Sequence, residues 1–317
     1  MDTIDRLDYD DIEAATRRIH GHTRPIALAP AESDGSLWLA MEFLQHTGTF
    51  KARGAANFLS AHLEEHTLPE AGVTIASGGN AGLACAWAAR RHDITATVFV
   101  PATAPAVKVA RLVSYGARVK QIGDSYADAA AACAQFAADT GALQSHAYDN
   151  PLIAAGAGTL MQEIHAHLPS LDTVLVAVGG GGLYAGITTA AAHYGVRAIA
   201  VEPENCCALH AGLEAGHPVP VPVNSIAADS LGARTVTPLA LTAAAGCDTR
   251  SLLVSDDAII AARAHLWDER RLAVEHGGAT ALAALTSGTY VPEPGETVCV
   301  ILCGANTTLA DLDTPEG

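Results

Sequence analysis

From residue 73 onward the chain alternates short apolar runs with alanine-rich stretches of helical period, and this alternation restricts the fold more than any other feature. Val73–Ala76, Ile94–Val100 and Arg118–Ile122 read as strands. Each precedes a predicted helix: one running from a glycine turn to about Arg91, then Ala106–Tyr115 closed by Gly116, then Ser125–Thr140. The pattern restarts after Asp149-Asn150-Pro151, a turn signal. Strands at Thr173–Val178 and Arg197–Val201 flank a helix from Gly182 to about His193, and Leu252–Val254 and Thr297–Leu302 are further apolar runs. Short strands separated by helices of this length imply βαβ units and parallel sheets. The restart predicts an α/β protein with two sheets. A small unit, 41–145, carries three strands of its own, and a larger one combines 1–40 with 146–317. No long linker divides them, so they are expected to pack directly with a cleft between. Gly216–Val223, with three prolines, reads as a surface loop, and Asp311–Gly317 as a disordered tail.

Half of the residues are hydrophobic and only 5% aromatic, which suits buried strands covered by alanine-rich helices. The formal net charge of −16 argues against nucleic acid or an anionic membrane as partner. No apolar run approaches the ~20 residues of a membrane span, and Met1 to Asp11 is acidic where a secretory leader is basic and then apolar. The seven cysteines (Cys85, Cys133, Cys206, Cys207, Cys247, Cys299, Cys303) form no CxxC pair and read as buried free thiols in a reducing cytoplasm. Cys206-Cys207 lacks His or Cys partners at zinc-ligand spacing.

Four segments carry chemistry. Thr47-Gly48-Thr49-Phe50-Lys51-Ala52-Arg53-Gly54 sets a primary amine beside a glycine turn, an aromatic ring and a fixed cation. A desolvated lysine loses its proton and becomes a covalent anchor for a carbonyl cofactor. Gly179-Gly180-Gly181-Gly182 offers backbone amides at a helix start. The same run satisfies G-x-G-x-x-A through Gly180, Gly182 and Ala185, with Glu202 about twenty residues on. On this segment alone a dinucleotide, the phosphate of another cofactor and a tight turn all stay open; four consecutive glycines favour convergence on one phosphate. Ser77-Gly78-Gly79-Asn80-Ala81-Gly82 opens a helix where an anion such as a substrate carboxylate binds, or Ser77 simply caps it. Cys303-Gly304-Ala305-Asn306 ends the last strand, where α/β sheets line their ligand crevice. Glu275-His276-Gly277-Gly278-Ala279 reads as a helix cap, and His46 as a solvated or core histidine.

Taken together and in this order, Phe50–Gly54, Ser77–Gly82, Gly179–Leu183 and Cys303-Gly304 resemble the fold-type II pyridoxal-phosphate enzymes, specifically the serine/threonine dehydratase (ammonia-lyase) branch and most nearly its serine dehydratase type. The likeness spans about residues 20 to 310. It implies two parallel-type sheets with the cofactor in the cleft, a homodimer, and elimination of water from a β-hydroxy amino acid to give a 2-oxo acid and ammonia. Lys51 is then the cofactor-bearing amine and the base at Cα. The resemblance assigns Phe50 and Ala228 to the two faces of the pyridine ring, Asn80 to its phenolic oxygen and Cys303 to its nitrogen. It assigns Gly179, Gly180, Gly181, Gly182 and Leu183 to the phosphate, and Ser77, Gly78, Gly79, Asn80 and Ala81 to the substrate carboxylate.

The chain also departs from its likeness. Racemising relatives carry a serine where this chain has Gly78, so racemisation is expected to be poor. Cys206 and Ala208 follow Glu202 where such relatives gather acids around a divalent ion; a monovalent cation held by carbonyls is compatible with the sequence. A β-replacement synthase or racemase-like enzyme of the same fold, and a nucleotide-binding α/β protein, are the alternatives. Arg53 and Arg234 are the conceivable cations for an acidic substrate side chain.

Overall fold

The computed structural model describes residues 6–246 and 250–308; Cys247 and the Asp311–Gly317 tail lie outside them. The chain opens with α1 (Tyr9–Ile19), started by a capping box between Asp8 and Asp11. An antiparallel pair, β1 (Leu28–Pro30) and β2 (Leu37–Ala40), follows, then α2 (Lys51–Glu64). The next segment is β3 (Val73–Ala76), α3 (Asn80–Arg91), β4 (Ala96–Val100), α4 (Ala106–Ser114), β5 (Arg118–Gln121), α5 (Tyr126–Thr140) and β6 (Leu143–Gln144). These strands form an all-parallel sheet in the order β5-β4-β3-β6. Ser125 and Asp128 box the start of α5, and left-handed Gly141 ends it.

The second half contains α6 (Pro151–His167), β7 (Thr173–Ala177), α7 (Gly182–Tyr194), β8 (Arg197–Pro203), α8 (Ala208–Ala215), α9 (Ala228–Leu231), α10 (Pro238–Ala245), β9 (Arg250–Val254), α11 (Asp256–Arg270), α12 (His276–Thr286) and β10 (Val298–Ile301). Its strands join the first hairpin in a six-stranded sheet, β1-β2-β10-β7-β8-β9, parallel except at β1. Asn150 accepts the amides of Leu152 and Ile153, with Pro151 in the first turn, so the predicted turn is also the start signal of α6.

Both sheets were expected, and so were most element boundaries. Three features differ. The β1–β2 hairpin at the edge of the large sheet was not read as strands. β6 is a fourth strand in the small sheet, missed because two residues carry no period. β8 continues to Pro203, because residues 202 and 203 pair with β9. Gly216–Val223 is the loop expected, partly exposed throughout. Strands β4, β7 and β10 are buried along their whole length, as parallel strands sandwiched by helices must be. Each sheet has its own apolar core. Between the sheets the chain crosses at residues 45–51: Thr49 bridges Gly304, and the Phe50 amide donates to the Cys303 carbonyl at 3.1 Å. Lys51 therefore stands at the seam.

Candidate active site

The carboxyl ends of β3, β6, β7 and β10 point at this seam, and the loops leaving them carry Ser77–Gly79, Ser145–Tyr148, Gly179–Gly182 and Cys303-Gly304. Lys51 is the first residue of α2. Left-handed backbone at Thr47 (φ 63) and Gly48 (φ 79) turns the chain into it, and Asn306 Nδ2 donates to the Thr47 carbonyl at 2.9 Å. Lys51 Nζ donates to the Ala147 carbonyl at 2.9 Å and lies 4.6 Å from the Phe50 ring centroid and 5.9 Å from that of Tyr148. Burial pulls the amine down to about 8, against the opposing pull of Cys303 and Glu275. An appreciable fraction is therefore uncharged near neutral pH, the state required of a nucleophile or base.

The tetraglycine run is dictated by packing as much as by ligand chemistry. A Cβ on Gly180 would lie 2.4 Å from ring carbons of Tyr148, one on Gly182 2.8 Å from the Tyr148 carbonyl, and one on Gly179 2.8 Å from Leu231 Cα. Gly181 adopts φ +98°, open to glycine and strained for other residues, and is the N-cap of α7. No side chain caps that helix, and Gly182 and Leu183 of its first turn line a cavity with Phe50, Lys51 and Tyr148. This uncapped, glycine-only helix start fits a phosphate.

Glu202 does not serve that turn. Both its oxygens are engaged at α8, accepting from the amides of Leu209 and His210 at 2.8 Å each, and from Ser251 Oγ at 3.1 Å. Burial pushes its carboxyl up to about 7. The dinucleotide reading thereby loses its ribose partner.

Asn80 begins α3 behind an uncapped Gly79. Its Nδ2 donates to Glu275 Oε1 at 2.8 Å, and its Oδ1 accepts from Asn306 Nδ2 at 2.6 Å. Glu275 also accepts the Asn306 amide at 3.1 Å. Glu275 does occupy the N-cap position of α12, as expected, but its side chain makes no capping bond there and instead ties the small sheet's loop to the end of β10. Burial raises its carboxyl, and the Asn80 bond offsets part of that. Cys303 is buried with Sγ 3.6 Å from the Gly277 carbonyl, and burial pushes its thiol up to about 12, so it stays protonated. Ala228 starts α9, whose Leu231 packs on Gly179 and whose Ser230 faces Gly277, which sets this short helix beside the glycine turn.

Several expectations change. Arg53 is no substrate cation: fully buried, it spends its guanidinium on Glu42 (2.7 and 3.1 Å), Glu163 (2.6 and 3.1 Å) and Thr159 (3.2 Å). Arg234 is exposed. His46 stacks on Trp87 with centroids 4.6 Å apart. Five described cysteines are buried, Cys207 is half-buried, and all six are free. Among the described residues no group of three His, Cys, Asp or Glu could hold a metal ion, and no helix is long and apolar enough to cross a membrane. The sequence reading missed Ala147 and Tyr148, because an isolated tyrosine in a polar loop carries no signal of its own.

Residues 19–304 match the family model described as "Pyridoxal-phosphate dependent enzyme". The chain is 36% identical over 270 residues to the L-threonine ammonia-lyase of Geobacter sulfurreducens, covering 84% of this chain and 67% of the relative. It is 36% identical over 272 residues to the phenylserine dehydratase of Ralstonia pickettii, covering 85% and 82%. Maize serine racemase superposes with a TM-score of 0.89 at 29% identity, covering 96% of this chain and 95% of that one. With a match over most of its length, and a lysine, a glycine turn and a buried thiol converging at one seam, this chain belongs to the pyridoxal-phosphate dependent enzymes.

Proposed function

We propose that the chain eliminates water from a β-hydroxy amino acid, L-serine and/or L-threonine, giving a 2-oxo acid and ammonia. The observation that carries this reading is the half-buried Lys51 amine, held by the Ala147 carbonyl between two helix starts that no side chain caps. Pyridoxal phosphate, when bound, supplies an aldehyde for amine exchange and a ring that accepts the Cα electron pair. Lys51 Nζ holds the cofactor and, once freed as a neutral amine, takes the Cα proton. The amides of Gly179, Gly180, Gly181, Gly182 and Leu183 hold the phosphate at the positive end of α7. Ser77, Gly78, Gly79, Asn80 and Ala81 hold the substrate carboxylate at the start of α3. Phe50 and Ala228 flank the ring, and Asn80, oriented by Glu275 and Asn306, meets its phenolic oxygen.

Cys303 meets the ring nitrogen as a neutral thiol, a weak donor. That leaves the nitrogen unprotonated and favours elimination over transamination. In this reading 41–145 is a small domain carrying the Lys51 and Asn80 loops, and 1–40 with 146–317 is the cofactor domain, a division supported by the separate sheets and cores. A cytoplasmic homodimer accompanies it, supported for the compartment by the free thiols. Borohydride reduction of the holoenzyme should fix the cofactor's mass on Lys51, and Lys51→Ala should abolish 2-oxo acid release. Mass appearing on another lysine, or full activity in the variant, refutes the proposal.

A further inference from the structure

Tyr148 has no part in the chemistry above, yet it stands against both halves of the site. Its ring covers Gly180, and its centroid is 5.9 Å from Lys51 Nζ. One cavity is lined by Phe50, Lys51, Ala147, Tyr148 and Leu183. The loop holding the ring is fixed: His146 Nδ1 accepts the Asp149 amide at 2.8 Å, and the His146 ring meets Tyr148 edge-on at 5.0 Å. Tyr126, at the start of α5 and 61% exposed, is near enough to raise the Tyr148 hydroxyl's pKa, after burial as the larger cause. In a chain only 5% aromatic, Phe50 and Tyr148 line one cavity with Lys51.

With pyridoxal phosphate bound, the substrate amine would take the place now held by Lys51 Nζ. Its Cα is then one bond from that nitrogen and its Cβ about 2.5 Å away. With the Tyr148 centroid 5.9 Å from Lys51 Nζ, a ring carried on Cβ could then reach the roughly 4.5–7 Å centroid separation at which aromatic side chains attract one another. Phe50, the nearer ring, is committed to the cofactor in the reading above, which leaves Tyr148 to the substrate. There is also space at the start of α3, since no atom lies within 4 Å of where a Cβ on Gly79 would stand.

We propose that Tyr148 is the specificity-determining wall of the β-substituent pocket, and that the preferred substrates are β-hydroxy amino acids bearing an aromatic β-substituent. This rests on the elimination chemistry proposed above. For 3-phenylserine the balance is unchanged: water leaves, and hydrolysis of the released enamine gives phenylpyruvate and ammonia.

The test compares kcat/KM of the holoenzyme for L-3-phenylserine, L-threonine and L-serine by 2-oxo acid release. A second readout is the ratio of inhibition constants for L-phenylalanine and L-alanine, neither of which can lose water. The expected results are a preference for phenylserine over serine and tighter inhibition by phenylalanine, each by about 10-fold. Tyr148→Ala should lower both ratios by a similar factor, and Tyr148→Phe, which keeps the ring over Gly180, should retain them. A wild-type preference for serine or threonine overturns the inference, as does an equal loss on all substrates in Tyr148→Ala; in both cases elimination itself still stands. Absence of any 2-oxo acid together with no cofactor mass on Lys51 overturns the elimination reading and this inference with it.

Discussion

Replacing Arg53 should be costly to this fold. Its guanidinium is buried at 0% exposure, bidentate with Glu42 at 2.7 and 3.1 Å and bidentate with Glu163 at 2.6 and 3.1 Å. Arg53→Met keeps most of the volume and removes the charge. Glu42, 1% exposed, is then a carboxylate with no cationic partner in a dry site, whereas the Glu163 side chain, 30% exposed, can hydrate. Breaking a buried pair from one side costs about 3–5 kcal/mol, and relief at Glu163 places the expected loss near ~3 kcal/mol. Urea unfolding of apoprotein measures it, with Glu42→Gln and the double variant completing a cycle whose coupling should reach about 2 kcal/mol.

The pH dependence has a definite sign. Burial already raises the Glu42 carboxyl, with Arg53 offsetting part. Without Arg53 its folded pKa rises further above the unfolded value, so the variant gains stability as pH falls and loses it as pH rises through the folded pKa. The deficit should be smaller at about pH 5 than at about pH 8. Arg53 lies two residues after Lys51 in α2, so cofactor affinity should drop as well. A loss below about 1 kcal/mol, or a coupling near zero, would show that the network is not holding α2.

Two further outcomes follow from the site. Apoenzyme should take up pyridoxal phosphate faster as pH rises, levelling above about pH 8, because only uncharged Lys51 attacks the aldehyde and burial has lowered its pKa to about 8; a flat profile in the visible absorbance would contradict this. Gly78→Ser should raise D-serine formation relative to pyruvate. A Cβ there meets only Val100, at 3.3 Å from Cγ1 and 3.9 Å from Cβ, so the hydroxyl is accommodated by a small shift, and an unchanged product ratio on chiral chromatography would mean that Gly78 does not face the reacting carbon.

The alternation of strand and helix, the restart after Pro151, and the four chemical segments were legible because each is a local matter: period, capping and turn residues act over a few positions. Lys51, Asn80, Gly179–Gly182 and Cys303 are far apart in sequence, and their order alone carried the family resemblance. Partnership was not legible. Glu202 read as the acid of a dinucleotide fingerprint and Glu275 as a helix cap, yet the first accepts the amides of Leu209 and His210 in α8 and the second joins Asn80 to Asn306 across the seam. Arg53 read as a free cation and is the most enclosed charge in the small sheet's first helix. Tyr148 gave no signal at all, though its ring is one reason Gly180 must be glycine.

The sequence by itself determined which segments fold into strands and helices and which chemical groups are available, because those follow from side-chain volume, polarity and short-range backbone preference. Which carboxylate meets which donor, how far a lysine is withdrawn from water, and what ring leans on a glycine turn were decided only when two sheets packed. Those quantities depend on distances between residues up to 259 positions apart, as Thr47 and Asn306 are, and no local pattern encodes such distances.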